Sequence, residues 1–183
     1  NKFLNPTGPI RNLALLKVNF FFSLIKNLVS HGQTTMKAVM LMGQYAFPQG
    51  LYFGGQQWQA ETQVLMGLYR EMIPNYDQIV HLDMHTGYGP RYQMSLVNSA
   101  WEVRSGLALR EAFDYPLVVA ATPDEFYTMH GDMVDWVYAL VEQEFPGKHL
   151  YATAFEFGTY GDSLNASIRS MRTMINENRL DWH

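Results

Sequence analysis

Three short strand-like runs alternate with segments in which apolar residues recur at helical spacing, and this alternation is the strongest constraint on the fold. A chain that alternates strands and helices favours an α/β layered domain with a largely parallel sheet. The strand-like runs cover residues 78–84, 117–121 and 149–157. Helical spacing covers residues 12–43 with a break at His31-Gly32, 60–72, 95–113, 131–145 and the closing segment from Leu164 to Ile175.

Length and composition exclude several classes of protein. The 183 residues suffice for one domain with a sizeable core, and we predict a single α/β domain over residues 1–183. Thirteen basic and 17 acidic residues give a net charge of −4 without a basic stripe, so nucleic acid is not an expected partner. Cysteine is absent, so any metal must be held by histidines and carboxylates. The missing thiols fit the reducing cytosol, and we predict a cytoplasmic location.

The most apolar segment, residues 14–29, is not expected to cross a membrane. It contains Lys17, Asn19 and Lys26, and it is shorter than the roughly 20 apolar residues that a span needs. No membrane partner is therefore predicted.

The run QIVHLDMHTGYGP carries three ionisable side chains at alternate positions of a predicted strand. Because side chains alternate between the faces of a strand, His81, Asp83 and His85 share one side, opposite Leu82 and Met84. His85 comes last, at the carboxyl end where sites collect in such sheets, and imidazole is the commonest protein ligand for zinc. Asp83 is a candidate for orienting a neighbouring histidine. The alternative, histidines with a purely structural hydrogen-bonding role, remains open for this strand alone.

A second strand-like run, LYATAFEFGTYGD, places a carboxylate at the end of an apolar face. Leu150, Ala152, Ala154 and Glu156 share that face. Partial desolvation raises the pKa of such a carboxyl group and suits it to act as a general base or acid. An ion pair between Glu156 and an arginine or lysine is the alternative.

The motifs HLDMHTGYGP and TAFEFGT resemble those of the zinc carboxypeptidase superfamily. With GQYAFPQGLYFGG, residues 43–55, the chain looks more closely like a bacterial branch catalogued only as a domain of unknown function. The resemblance implies a mixed sheet flanked by helices, with one zinc ion held in part by His85. It also implies that Glu156 is the general base. In FYTMHGDMVDW, Tyr127 matches a tyrosine on a mobile loop, with a surface aromatic as the alternative.

The chain departs from the superfamily pattern before the GQY segment. The superfamily carries a zinc-binding His-x-x-Glu and a substrate-binding Asn-Arg pair there, and neither occurs in residues 1–42. We therefore expect that an N-terminal portion is missing and that residues 1–183 are the C-terminal part of a larger metallopeptidase-like domain. Such a chain supplies one zinc ligand and the general base, and it should bind zinc poorly alone, because catalytic zinc normally has three protein ligands.

The resemblance implies a zinc-dependent hydrolase that cleaves a peptide or amide bond in a peptide or an acylated amino acid. An N-acyl amino-acid deacylase and a non-catalytic binding or scaffold module without zinc are the alternatives. Arg91 follows the glycine turn and is a candidate contact for an anionic substrate group, with a solvated surface arginine as its alternative. The four tryptophans are expected to be packing residues rather than substrate platforms. Oligomeric state is left open by the sequence.

Overall fold

The computed structural model describes residues 3–87, 89–120, 131–161 and 163–182. Within them the chain divides into two compact units, Asn1–Gln57 with Leu164–His183, and Trp58–Ser163. The prediction of one domain over the whole chain stays a prediction. The elements in chain order are α1 (Leu13–Met42), α2 (Ala60–Met72), a 3-10 turn (Ile73–Asn75), β1 (Gln78–Gly87), β2 (Met94–Asn98), α3 (Gly106–Phe113), β3 (Val118–Ala120), α4 (Met133–Glu144), β4 (His149–Gly158) and α5 (Leu164–Trp182).

The four strands form one mixed sheet in the order β1-β4-β2-β3. The pairings β1–β4 and β2–β3 are parallel, and β2 runs antiparallel to β4. The predicted α/β class, with a mixed and largely parallel sheet flanked by helices, is confirmed.

The helix predicted over residues 95–113 is wrong in its first part. Residues Met94–Asn98 form β2, and the helix α3 begins only at Gly106. In β2 the residues Ser95 to Asn98 are all buried, because the strand lies between β4 and β3 and both of its faces are covered. A strand buried on both faces shows no alternation of apolar and polar residues, so periodicity does not reveal it.

The core of the second unit lies on both faces of this sheet. On one face Val97, Ala152 and Ala154 pack against Val134 of α4, and the two alanines let the helix lie close to the strands. On the other face the cluster is Leu96, Leu109, Val118 and Tyr151. β1 is an edge strand whose apolar residues Val80, Leu82 and Met84 are exposed.

The first unit is built from α1, α5 and the segment before α1. Asn12 caps α1, its side chain accepting hydrogen bonds from the backbone N–H groups of Ala14 and Leu15. The break predicted at His31-Gly32 is confirmed, since Gly32 has φ 73° and ψ 166° inside this helix. The core cluster joins Phe3, Leu4, Phe20, Leu24, Met171 and Ile175. None of the helices within the described ranges has the length and apolarity that a membrane crossing requires.

The GQY motif has a structural explanation in this unit. The side-chain amide of Gln44 donates to the carbonyl oxygens of Phe47 at 2.7 Å and Leu51 at 3.2 Å. Its side-chain oxygen accepts from the backbone N–H groups of Ala46 and Phe47. The Gln44 side chain thus makes four hydrogen bonds with the backbone of this irregular loop, and the Phe47 carbonyl oxygen also accepts from the backbone N–H of Gly50.

We expect Gln44→Ala to lower the free energy of unfolding by about 1–3 kcal/mol, because loop groups lose their partners. Urea unfolding followed by circular dichroism measures the change. Gln57→Ala, at an exposed position, is the control and should stay within about 0.5 kcal/mol of the parent. Equal stability of the two variants would show that Gln44 does not organise the loop.

Candidate active site

The register of the sheet brings His85 and Glu156 together. The two residues are direct partners in the parallel β1–β4 ladder, so their side chains leave the same face near the carboxyl ends of both strands. His85 Nδ1 lies 3.9 Å from Glu156 Oε1. The imidazole and the carboxylate therefore lie together at the carboxyl ends of β1 and β4, as predicted, while a metal ion between them stays a prediction.

Asp83 is the partner of His85 on the side away from Glu156. His85 Nε2 lies 2.9 Å from Asp83 Oδ2, two positions earlier on the same face of β1. The sequence predicted that Asp83 orients a histidine without saying which one; the Asp83 carboxylate contacts His85, and the orienting role stays a prediction. Since Nε2 is held by Asp83, Nδ1 is the nitrogen that faces Glu156, and the ring orientation is set.

Glu156 is buried deeply for a carboxylate. Its side chain is 3% exposed, whereas that of His85 is 41% exposed. Burial of the carboxylate agrees with the desolvation expected from its apolar strand face. Glu156 Oε1 faces the imidazole of His85, and the alternative interpretation, an ion pair with an arginine or a lysine, stays a prediction.

Ser95 is a residue of this site that sequence reasoning missed. It is the antiparallel partner of Glu156 on β2, so His85, Glu156 and Ser95 form a row across three strands on one face. Ser95 is 4% exposed. No local signal marks it, because its place depends on the antiparallel register of a strand that periodicity did not reveal.

His81 lies deeper on the same face and has a different environment. Its Nδ1 contacts the hydroxyl of Tyr69 from α2, and its ring is buried. Burial lowers the pKa of His81, and the nearby charge of Asp83 offsets part of that effect. Within the described residues its buried Nε2 has no hydrogen-bond partner. The ring thus belongs to the packing between α2 and the sheet rather than to the exposed end of the site.

The glycine turn after β1 rests directly on the end of β4. A Cβ atom at Gly158 would lie 2.1 Å from the carbonyl oxygen of Pro90 and 2.5 Å from that of Gly89. The backbone N–H of Tyr92 donates to the Gly158 oxygen at 2.9 Å, and the Gly158 N–H donates to the Gln93 oxygen at 3.0 Å. The motifs HTGYGP and FEFGT are therefore in contact, and this contact shapes the rim of the site.

Of the two remaining predicted site residues, the structure describes only Arg91, which lies outside the row. Arg91 is exposed, and its guanidinium lies 4.4 Å from the ring centre of Tyr92. Tyr127 lies outside the described residues. Their roles in substrate binding and catalysis stay predictions.

The side chains of the site could supply some of the ligands of a zinc centre. An imidazole held by a carboxylate through one nitrogen presents the other nitrogen to a metal, which is the usual arrangement of metal-binding histidines. Across residues 3–87, 89–120, 131–161 and 163–182, however, no group of three metal-binding side chains occurs. His85 fits one ligand position, and a site with three protein ligands would need at least one ligand from outside these ranges.

We expect Asp83→Asn to weaken metal binding by about 10–100-fold, because the imidazole loses the carboxylate that orients it. Competition with a chelating indicator measures the affinity on the full-length gene product. Asp77→Asn, at an exposed position before β1, is the matched control. If the two variants bound the metal with equal affinity, Asp83 would have no role in metal binding.

The fold and this row define an α/β protein with a buried carboxylate facing an oriented imidazole at the ends of two parallel strands. The chain belongs to the family described as Protein of unknown function (DUF2817), whose model matches residues 8–183. No curated protein and no solved structure matches it significantly.

Proposed function

We propose that the protein is a cytoplasmic zinc-dependent hydrolase of the carboxypeptidase-like type that cleaves a peptide or amide bond. One observation carries the proposal: the buried carboxylate of Glu156 faces His85 Nδ1 at 3.9 Å while Asp83 holds the other nitrogen of the same ring. A general base and an oriented metal-binding imidazole are two parts that such hydrolysis needs at one place.

In the proposed mechanism, Glu156 accepts a proton from the water that attacks the scissile carbonyl carbon. It then delivers that proton to the nitrogen of the leaving amine as the carbon–nitrogen bond breaks, so the carboxylate is regenerated. A zinc ion bound through His85 would supply Lewis-acid polarisation of the carbonyl oxygen. Burial of Glu156 suits it to this work, because a desolvated carboxylate is a stronger base than one in water.

Further residues have proposed roles in binding the substrate. Arg91 would meet an anionic group of the peptide or acylated amino acid. Tyr127 would donate a hydrogen bond to the oxygen that becomes negatively charged in the transition state. The open space at Gly87, where a Cβ atom would meet nothing within 4 Å, would admit the substrate backbone.

Metal analysis of the full-length gene product, followed by a substrate panel, tests the proposal. We expect about one zinc per chain and release of an amino acid from peptides. If the protein released the acyl group from N-acyl amino acids and left peptides intact, we would assign it as a deacylase and not as a peptidase. A folded protein with zinc near zero, and inactive when zinc is added, would overturn the enzyme proposal in favour of a scaffold.

A further inference from the structure

Three tryptophans line a pocket of about 420 Å³ within the second unit. Trp58, Trp101 and Trp136 contribute to its wall, together with residues from α2 and the first half of α4. The expectation that the tryptophans are packing residues is wrong for Trp58 and Trp101, which are 63% and 45% exposed. Exposed indole rings around a concavity are costly to leave in water and indicate a ligand site.

The same pocket carries negative charge. Asp132 and Asp135 line it, and none of its lining residues, all of them described, is a lysine or an arginine. Asp132 caps α4 by accepting from the backbone N–H of Asp135 at 2.7 Å, and one oxygen of Asp135 accepts a hydrogen bond from Ser99. Burial raises the pKa of Asp132. The hydrogen bond from the backbone N–H of Asp135 lowers this pKa, and the negative charge of Asp135 raises it further. The carboxyl group of Asp132 is therefore partly desolvated.

Two arginines of the second unit, one of them beside Trp136, are each paired with a glutamate. Arg70 is held by Glu144 through two hydrogen-bonding nitrogens, although its guanidinium also lies 5.7 Å from the ring centre of Trp136. Arg104 is likewise paired with Glu102. The positive end of α4 offsets roughly half a charge, against two full carboxylate charges. The residues that line the pocket include two carboxylates and no lysine or arginine.

We propose that this pocket binds an organic cation of the methylated ammonium class. The faces of indole rings attract cations, and the attraction is strongest where the charge is weakly hydrated, as in a quaternary ammonium group. The two carboxylates supply the counter-charge, and a pocket of this size is in the usual range for small ligands. The proposed binding does not depend on hydrolysis, although Asp132 lies close enough to the candidate active site for the charges of Asp83 and His85 to act on its pKa.

Choline is the probe, and 3,3-dimethyl-1-butanol is its neutral isostere. Titration of the full-length protein without added metal, followed by tryptophan fluorescence and calorimetry, should show choline binding about tenfold or more tightly than the alcohol. Asp132→Asn combined with Asp135→Asn should weaken choline binding about tenfold while affecting the alcohol little. Asparagine caps a helix as well as aspartate does and can accept the bond from Ser99, so the fold should persist.

Two further variants complete the experiment. Trp101→Ala, at a partly exposed ring, should weaken choline binding several-fold, and Asp77→Asn controls for the loss of one negative charge elsewhere on the chain. Equal binding of choline and the alcohol would overturn the proposal and leave an apolar pocket. Absence of choline binding up to about 50 mM would also overturn the proposal. So would a double variant that unfolds at the same midpoint as the parent and binds choline as tightly. None of these readouts uses hydrolysis, so their failure is distinguishable from failure of the proposed function.

Discussion

Glu156→Gln is expected to reduce turnover by about 10²–10⁴-fold while leaving zinc content unchanged. Glutamine has nearly the shape of glutamate, so the buried position on β4 keeps its packing. Its amide cannot accept a proton from water at neutral pH. The proposed mechanism needs that transfer twice, once from water and once to the leaving amine, so chemistry rather than binding should suffer. The measurement is kcat and KM on the substrate identified by the panel, with metal analysis of the same sample.

A matched control for this experiment lies on α4. Glu142→Gln makes the same chemical change at an exposed position and should leave kcat within about twofold of the parent. Thermal unfolding of both variants separates a catalytic effect from loss of fold. Turnover of Glu156→Gln within tenfold of the parent, with native zinc content, would contradict the assignment of Glu156 as the base.

Gly158→Ala is expected to cost about 3 kcal/mol or more of the free energy of unfolding. The added Cβ would meet the carbonyl oxygens of Pro90 and Gly89 at 2.1 and 2.5 Å. Both atoms belong to backbone, which cannot move aside as the end of a side chain can. The turn would have to separate from β4, breaking the backbone hydrogen bonds between Gly158 and residues 92 and 93. Urea or thermal unfolding of the purified variant measures the loss.

Gly67→Ala is expected to raise the free energy of unfolding, in contrast to Gly158→Ala. A Cβ at Gly67 meets nothing within 4 Å, and the residue lies inside α2, where alanine is the better helix former. This variant should gain about 0.5–1 kcal/mol. If Gly158→Ala lost less than about 1 kcal/mol, the close contact between the turn and β4 would not hold in solution.

Elements with a clear local pattern were predictable. The helix predicted over residues 60–72 has those bounds in the structure, because an apolar face at helical spacing ends shortly before Pro74. The strand predicted over residues 78–84 is found and extends to Gly87. The missed strand β2 has no alternation to detect, since neighbouring strands and the packed layers cover both of its faces.

The candidate site was predictable in part. His85 and Glu156 each stand at the end of a strand-like run, and that position is visible in the sequence. Their pairing, and the choice of His85 rather than His81 as the partner of Asp83, depends on strand register and on the helix that buries His81. The place of Ser95 beside Glu156 depends on an antiparallel pairing that no local pattern specifies.

The sequence by itself determined the α/β class, most helices and the faces on which the ionisable residues of β1 and β4 lie. These follow from periodicity, which is a property of neighbours along the chain. Only the tertiary structure decided which ionisable groups meet, which glycine must lack a side chain, and that three tryptophans and two aspartates line one pocket. Those features join residues far apart in the chain, and their contacts are set by strand register and packing, which the spacing of residues does not encode.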